Sequence, residues 1–192
     1  MLDHLAGPHK IEGAIVEWQW ALQGSAHEAD AGVGCAGAPQ RRLSDIHPSG
    51  LGARLREQAG EASVATSIVQ CAIATAHVIV IGPSNPVISI GPILAVHGMR
   101  EALTQASAPV VAVSPLVRDT VVKGPTAAFM ESRGLPVNND GIATYYDGLI
   151  DGLVADQRTD GLPVLETDVL MATADARRRV ADETLNFALA LG

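Results

Sequence analysis

Two regimes of hydrophobic patterning divide the chain near residue 60. Beyond it, short continuous apolar runs alternate with segments of helical periodicity. Residues 77–81 (HVIVI), 109–114 (PVVAVS), 149–155 (LIDGLVA) and 163–167 (PVLET) are rich in apolar, mostly branched residues, the pattern of strands covered on both faces. Val64, Ile68, Val69 and Ile73 fall at helical spacing and predict a helix over 61–76. Met99 and Leu103 mark another over 98–107. Residues 125–132 carry proline in the first turn and end at Gly134, both favourable helix punctuation. A short helix over 140–146 and an amphipathic one over 175–191 complete the series. Strands alternating with helices predict an α/β fold of three layers, a mostly parallel sheet flanked by helices and related to the Rossmann type. One connection strains that scheme. Only seven residues separate Ala155 from Pro163, whereas a parallel crossover usually needs roughly a dozen. Either those two strands are not parallel neighbours, or this edge of the sheet is abbreviated.

The patterning predicts a poorly defined, partly disordered N-terminal segment over residues 1–60 and an α/β domain over residues 61–192. Within the first part, the alternation of Val16, Trp18 and Trp20 in 11–22 fits a strand. Residues 23–60 show no repeating apolar face and read as loop or disorder. Gly32-Val33-Gly34-Cys35-Ala36-Gly37 satisfies G-x-G-x-x-G on paper. It lacks the preceding strand and following helix that dinucleotide binding requires, and is a chance match.

Composition narrows the class. Hydrophobic residues make up 47 % of the chain with only two each of Phe, Tyr and Trp, so the core is built of Val, Ile, Leu and Ala, as suits a covered parallel sheet. A net charge of −8, from 13 basic and 21 acidic residues, argues against nonspecific nucleic-acid binding. Cys35 and Cys71 lack metal-binding spacing. With no signal peptide and no apolar run near 18 residues, a soluble cytoplasmic protein is expected, without nucleic-acid or membrane partners.

The chemistry concentrates after the run at 77–81. Gly82-Pro83-Ser84-Asn85-Pro86 stops the strand, and at the carboxyl end of a sheet strand open α/β proteins place their ligands. Ser84 and Asn85 read either as a turn with local side-chain bonds or as donors to an anion. Ser89 can add a hydroxyl, and Gly91 permits close backbone approach. Lys123, in VVKGP, reads as a surface charge or a point charge for a diphosphate; Arg118 and Arg133 are weaker versions of it. His77 and His97 read as structural, and Asp140, Asp147 and Asp151 as solvated carboxylates.

The stretch GPSNPVISIGPILAVHGMREAL (82–103) resembles the signature of the CofD/FbiA family, the 2-phospho-L-lactate transferases of coenzyme F420 biosynthesis. The similarity continues through APVVAVSPLV, Lys123-Gly124-Pro125, IATYYDGLIDGLVAD and TDVLMATADARRRVADETLNFA, so it covers 73–189. It implies transfer of a phospholactyl or phosphoenolpyruvyl group from a guanosine-diphospho-activated donor to the deazaflavin Fo, with release of GMP. It also implies Mg²⁺, and a substrate-binding set of Ser84, Asn85, Pro86, Ser89, Gly91 and Lys123; a homodimer is compatible with it. The family's Gly-rich opening strand and the acidic residues that hold Mg²⁺ have no counterpart here. The expectation is therefore the C-terminal part of the family fold, truncated and impaired in transfer, with no metal ligands and no identifiable catalytic residue. The other class is a non-catalytic nucleotide-binding or regulatory protein of the same fold, although such relatives prefer a Gly-Pro-Gly-Ser-type loop where this chain has Gly-Pro-Ser-Asn-Pro.

Overall fold

A computed structural model describes Ala14–Ile15 and residues 64–192 apart from 119, 122 and 123. Five short strands form a sheet in the order β1–β2–β3–β6–β7, with every neighbouring pair parallel. They are β1 (Ala14–Ile15), β2 (Ile79–Ile81), β3 (Val110–Val113), β6 (Gly152–Ala155) and β7 (Val164–Glu166). A separate antiparallel hairpin pairs β4 (Leu116–Val117) with β5 (Thr120–Val121). The helices are α1 (Ser67–Ala74), α2 (Gly91–Leu94), α3 (Met99–Thr104), α4 (Thr126–Ser132), α5 (Asn139–Tyr145) and α6 (Ala174–Leu191). A π-helical turn, Pro86–Ile90, stands between β2 and α2.

The three layers follow from the two-residue period of the strands. Ile79, Ile81, Val110, Ala112, Leu153 and Ala155 face one core, which takes Ile73 of α1, Leu103 of α3 and Ile142 of α5. Val78, Val111, Val113 and Val154 face the other, closed by Val180 and Ala188 of α6. Val111, Ala112, Leu153, Val154 and Ala155 are wholly inaccessible to solvent. Polar residues on either face of β3 or β6 would therefore be buried without partners, and that is why the sequence there is continuous aliphatic.

β6 and β7 are parallel neighbours, Leu153 opposite Val164, despite the short connection. Strand length resolves the difficulty. A three-residue strand is roughly 10 Å long, which an extended connection through 156–163 spans easily without a helix. The abbreviated edge is the alternative the structure adopts. The helix expected from residue 61 begins at Ser67. Thr66 sits extended and its hydroxyl accepts from the Val69 N–H at 3.4 Å, while Ala65 bonds the His97 carbonyl. The strand expected over 11–22 is described only at Ala14–Ile15. The expectation for 23–60, the Gly32–Gly37 stretch and Cys35 lie outside the described residues.

Across the two tyrosines of α5's end, Tyr145 and Tyr146 meet edge to face at 5.2 Å between ring centroids. Burial, with a smaller contribution from Tyr145, pushes the Tyr146 phenol far above its ordinary range. The neutral phenol is thus the form the fold accepts. Its contribution to stability is complete below the unfolded-state value near 10 and falls as pH rises above it, by up to ~1.4 kcal/mol per pH unit. Urea titrations between pH 9 and 11 should show this slope, and it should flatten in Tyr146→Phe. A steric test is available at the other end of the same helix. A Cβ at Gly141 would collide with the Pro136 carbonyl oxygen, and backbone cannot yield cheaply. Gly141→Ala should destabilise by about 3 kcal/mol, read as a melting temperature lower by roughly 6–12 °C.

Candidate functional site

Because all five strands of the sheet run the same way, their carboxyl ends share one edge, and the loops leaving β2, β3 and β6 meet there. Ligands of open α/β sheets bind on that edge. β2 ends in Gly82-Pro83-Ser84-Asn85, where the Ser84 N–H folds back to the Gly82 carbonyl at 2.8 Å. Asn85 then organises the π turn. Its Oδ1 accepts from the N–H groups of Val87 at 2.9 Å and Ile88 at 3.1 Å. Its backbone carbonyl accepts from Ser89 and Ile90, both at 3.1 Å. Its Nδ2 donates to the hydroxyl of Thr126, the first residue of α4, at 3.2 Å.

Asn85 is accordingly a capping and tethering residue, the turn-type reading of it. Both ends of its amide are occupied within the chain. Pro86 is the buried first residue of the turn, where its missing N–H is no loss. The turn packs on α4 and α5 through Val87, Ile88, Phe129 and Tyr145. Space above Gly91 is filled by the Tyr145 hydroxyl, which would lie 2.6 Å from an added Cβ. The close approach this glycine permits is to Tyr145. Ser84 and Ser89 are half-buried, and their hydroxyls make no hydrogen bond among the described residues. Lys123 lies outside the described residues; Gly124 and Pro125 lead directly into α4 on this edge. Helical turns with π geometry concentrate at functional positions, and this one sits where the strand pattern placed the site.

A second polar group occupies the ends of β3 and β6, and of its members the sequence patterns single out only Arg118 and Asp140. Ser114, 1 % exposed, donates to Asn139 Oδ1 at 2.6 Å, and Asn139 Nδ2 donates to the Gln157 carbonyl at 3.3 Å. Asn138 caps α5 by accepting from the Gly141 N–H at 3.0 Å. Asp156 accepts the Arg118 N–H, and Asp140 accepts from the Thr159 hydroxyl. The available signal was Asn-Asn-Asp ahead of a helix and a serine closing an apolar strand, because a buried hydroxyl there requires a partner.

The other sequence candidates fall elsewhere. His77 precedes β2 and so lies at the opposite, amino edge. His97 is exposed, and its carbonyl serves the bridge to Ala65. Asp151 is also at the amino edge, where Oδ2 accepts from the Val110 N–H at 2.7 Å and ties β6 to β3. A shallow cavity of about 220 Å³ lies beside it, lined by Leu103, Thr104, Val110 and Leu149 among others. Among the described residues no three His, Cys, Asp or Glu side chains are grouped to hold a metal ion. No helix among them is long and apolar enough to cross a membrane.

The family model for 2-phospho-L-lactate transferase CofD matches residues 51–182. A 2-phospho-L-lactate transferase of Methanosarcina acetivorans is 36 % identical over 170 residues, covering 84 % of this chain and 51 % of the relative. That of Methanosarcina mazei is 32 % identical over 169 residues, 83 % of this chain and 52 % of the relative. That of Methanospirillum hungatei is 40 % identical over 123 residues, 63 % and 41 % respectively. The chain spans about half the length of the curated relatives it matches.

The Asn85 geometry is testable by stability. Asn85→Ala removes a cap, worth about 0.5–2 kcal/mol, and the tether to Thr126, worth about 0.5–1.5 kcal/mol. Denaturant unfolding should show a combined loss of about 1–3.5 kcal/mol. Asn85→Asp, which keeps the accepting oxygens of the cap, should recover more than half of it.

Proposed function

Since this chain belongs to the CofD family of 2-phospho-L-lactate transferases, we propose that its carboxyl edge binds the guanosine-diphospho end of an activated phospholactate or phosphoenolpyruvate donor. In the whole reaction a hydroxyl of the deazaflavin Fo attacks the phosphorus bearing the three-carbon acid. The new P–O bond forms as the anhydride bond to GMP breaks, and the hydroxyl proton passes to a base. Such transfers depend on positioning and on neutralising charge at phosphorus.

What supports this reading is the junction of the β2 loop, the π turn and α4. Ser84 and Ser89 supply hydroxyl donors there, Pro86 and Gly91 set the backbone course, and Asn85 fixes the geometry from within. Lys123, three residues before Thr126, supplies the point charge for the diphosphate. Hydrogen bonds to charged groups contribute on the order of 1.5–3 kcal/mol each, so a few of them give a dissociation constant in the upper micromolar to millimolar range, or about −4 to −6 kcal/mol. Mg²⁺ would supply charge neutralisation at the phosphates; no step is assigned to it on the described residues.

Calorimetric titration of GDP, GMP and guanosine, each with and without Mg²⁺, tests the reading. GDP should bind and guanosine should not, with little dependence on Mg²⁺, and Ser84→Ala should weaken GDP about 5- to 10-fold, near 1 kcal/mol or slightly more. Equal binding of GDP and guanosine would contradict a phosphate-side site. A transfer assay with deazaflavin, activated phospholactate and Mg²⁺ addresses the second reading, a nucleotide-binding regulatory role. The chain alone is expected to bind donor without turnover, since the acidic residues that hold Mg²⁺ in the family it resembles have no counterpart in this sequence. Phosphodiester product, detected by mass, would place a complete catalytic set within the 192 residues.

A further inference from the structure

The hairpin that follows β3 holds two local costs side by side. Arg118, in its turn, has φ of 52°, and among the described residues it is the one non-glycine residue in the left-handed region. That conformation sets an L side chain against its own carbonyl, so glycine is the residue the backbone favours. The Arg118 N–H is held by Asp156 Oδ2, and Asp156 Oδ1 is buried with no hydrogen-bond partner among the described residues. A non-glycine residue in a strained turn and an unpaired buried carboxylate oxygen are each unfavourable. Here they belong to two residues bonded to each other, on the edge of the sheet that carries the site. Sequences depart from local rules in this way chiefly where function requires it.

The Arg118 side chain suggests what that requirement is. It is exposed and forms no ion pair among the described residues. The loop leaving β6 carries an arginine too, but Arg158 lies 3.6 Å from Glu166. Of these two guanidinium groups beside the carboxyl ends, Arg118 is the unengaged one. In a chain of net charge −8, a locally presented cation favours anion binding, and a guanidinium fork suits phosphate oxygens. A glycine would relax the turn and lose that group.

We propose that Arg118 is a further substrate-binding residue, contacting the diphosphate of the nucleotide donor, and that Asp156 is the positioning residue that holds its turn. The proposal rests on the carboxyl-edge reading given above and adds a residue to it. Asp156 acts through the backbone N–H of Arg118, behind the turn, and touches no ligand.

GDP and inorganic pyrophosphate are titrated calorimetrically into wild type, Arg118→Gly, Arg118→Lys, Asp156→Ala and the double variant that combines Arg118→Gly with Asp156→Ala. Arg178→Ala on α6 serves as a charge control, and a melting temperature is recorded for each protein. Arg118→Gly should weaken both probes about 10-fold, while its melting temperature stays level or rises. Arg118→Lys should lie between the two, and Arg178→Ala should bind as wild type. Asp156→Ala should weaken binding in the parent yet add nothing in the Arg118→Gly background, the non-additivity of residues acting as a unit. Unchanged affinity in Arg118→Gly, an equal loss in Arg178→Ala, or tighter binding in Asp156→Ala would each overturn the proposal while leaving the carboxyl-edge site intact. No binding of either probe to wild type is the separate failure of the site itself, and the proposal falls with it.

Discussion

A single carboxamide joins the parts of the candidate site. Asn85 leaves the carboxyl end of β2, closes the π turn with its carbonyl oxygens and reaches across to the first residue of α4 with its amide nitrogen. The first N–H groups of a helical turn have no partner within it and need a cap. Asn85 supplies it. Everything downstream depends on where that turn points, since α2 follows without a break and Val87 packs with Phe129 between the loop and α4. The N–H groups of this turn are consumed internally, so side-chain hydroxyls and cations, more than bare backbone, are what this loop can present to an anion.

Rigidity beneath the edge comes from the aliphatic sheet. β3 and β6 are covered on both faces and wholly buried, and α6 is fastened by Arg179, which donates to Thr167 beyond β7 at 2.8 Å and pairs with Glu183 on its own helix at 3.0 Å. The site loops therefore hang from elements that have little freedom to move. Strain and unpaired polar atoms are tolerated on such a frame because the surrounding packing over-determines the local conformation.

The strand core was legible because its signal is local. Continuous branched residues at 77–81, 109–114 and 149–155 can satisfy both faces only inside a covered parallel sheet, and β2, β3 and β6 lie in those runs. The last connection was not legible, because rules for parallel crossovers assume strands longer than three residues. Nor was the π turn. Pro86-Val87-Ile88-Ser89-Ile90 has β-branched residues that locally favour extension, and only the cap at Asn85 and packing on Phe129 overrule them. Gly-Pro-Ser-Asn-Pro was legible as the loop that ends a strand, whereas the partners of the Asn85 side chain, Val87, Ile88 and Thr126, were not. Ser114, Asn139 and Asp156 could not be joined from sequence. Their contacts connect β3, α5 and β6 over long separations, and each residue alone resembles an ordinary cap or turn.

Hydrogen–deuterium exchange with and without saturating GDP tests the central claim most directly, because it asks where the nucleotide sits without assuming what it does. The account predicts slower exchange in peptides covering 82–91 and 114–126, at the carboxyl edge, and no change over 103–110 and 147–151 beside the amino-edge cavity. Protection confined to the amino edge would contradict it.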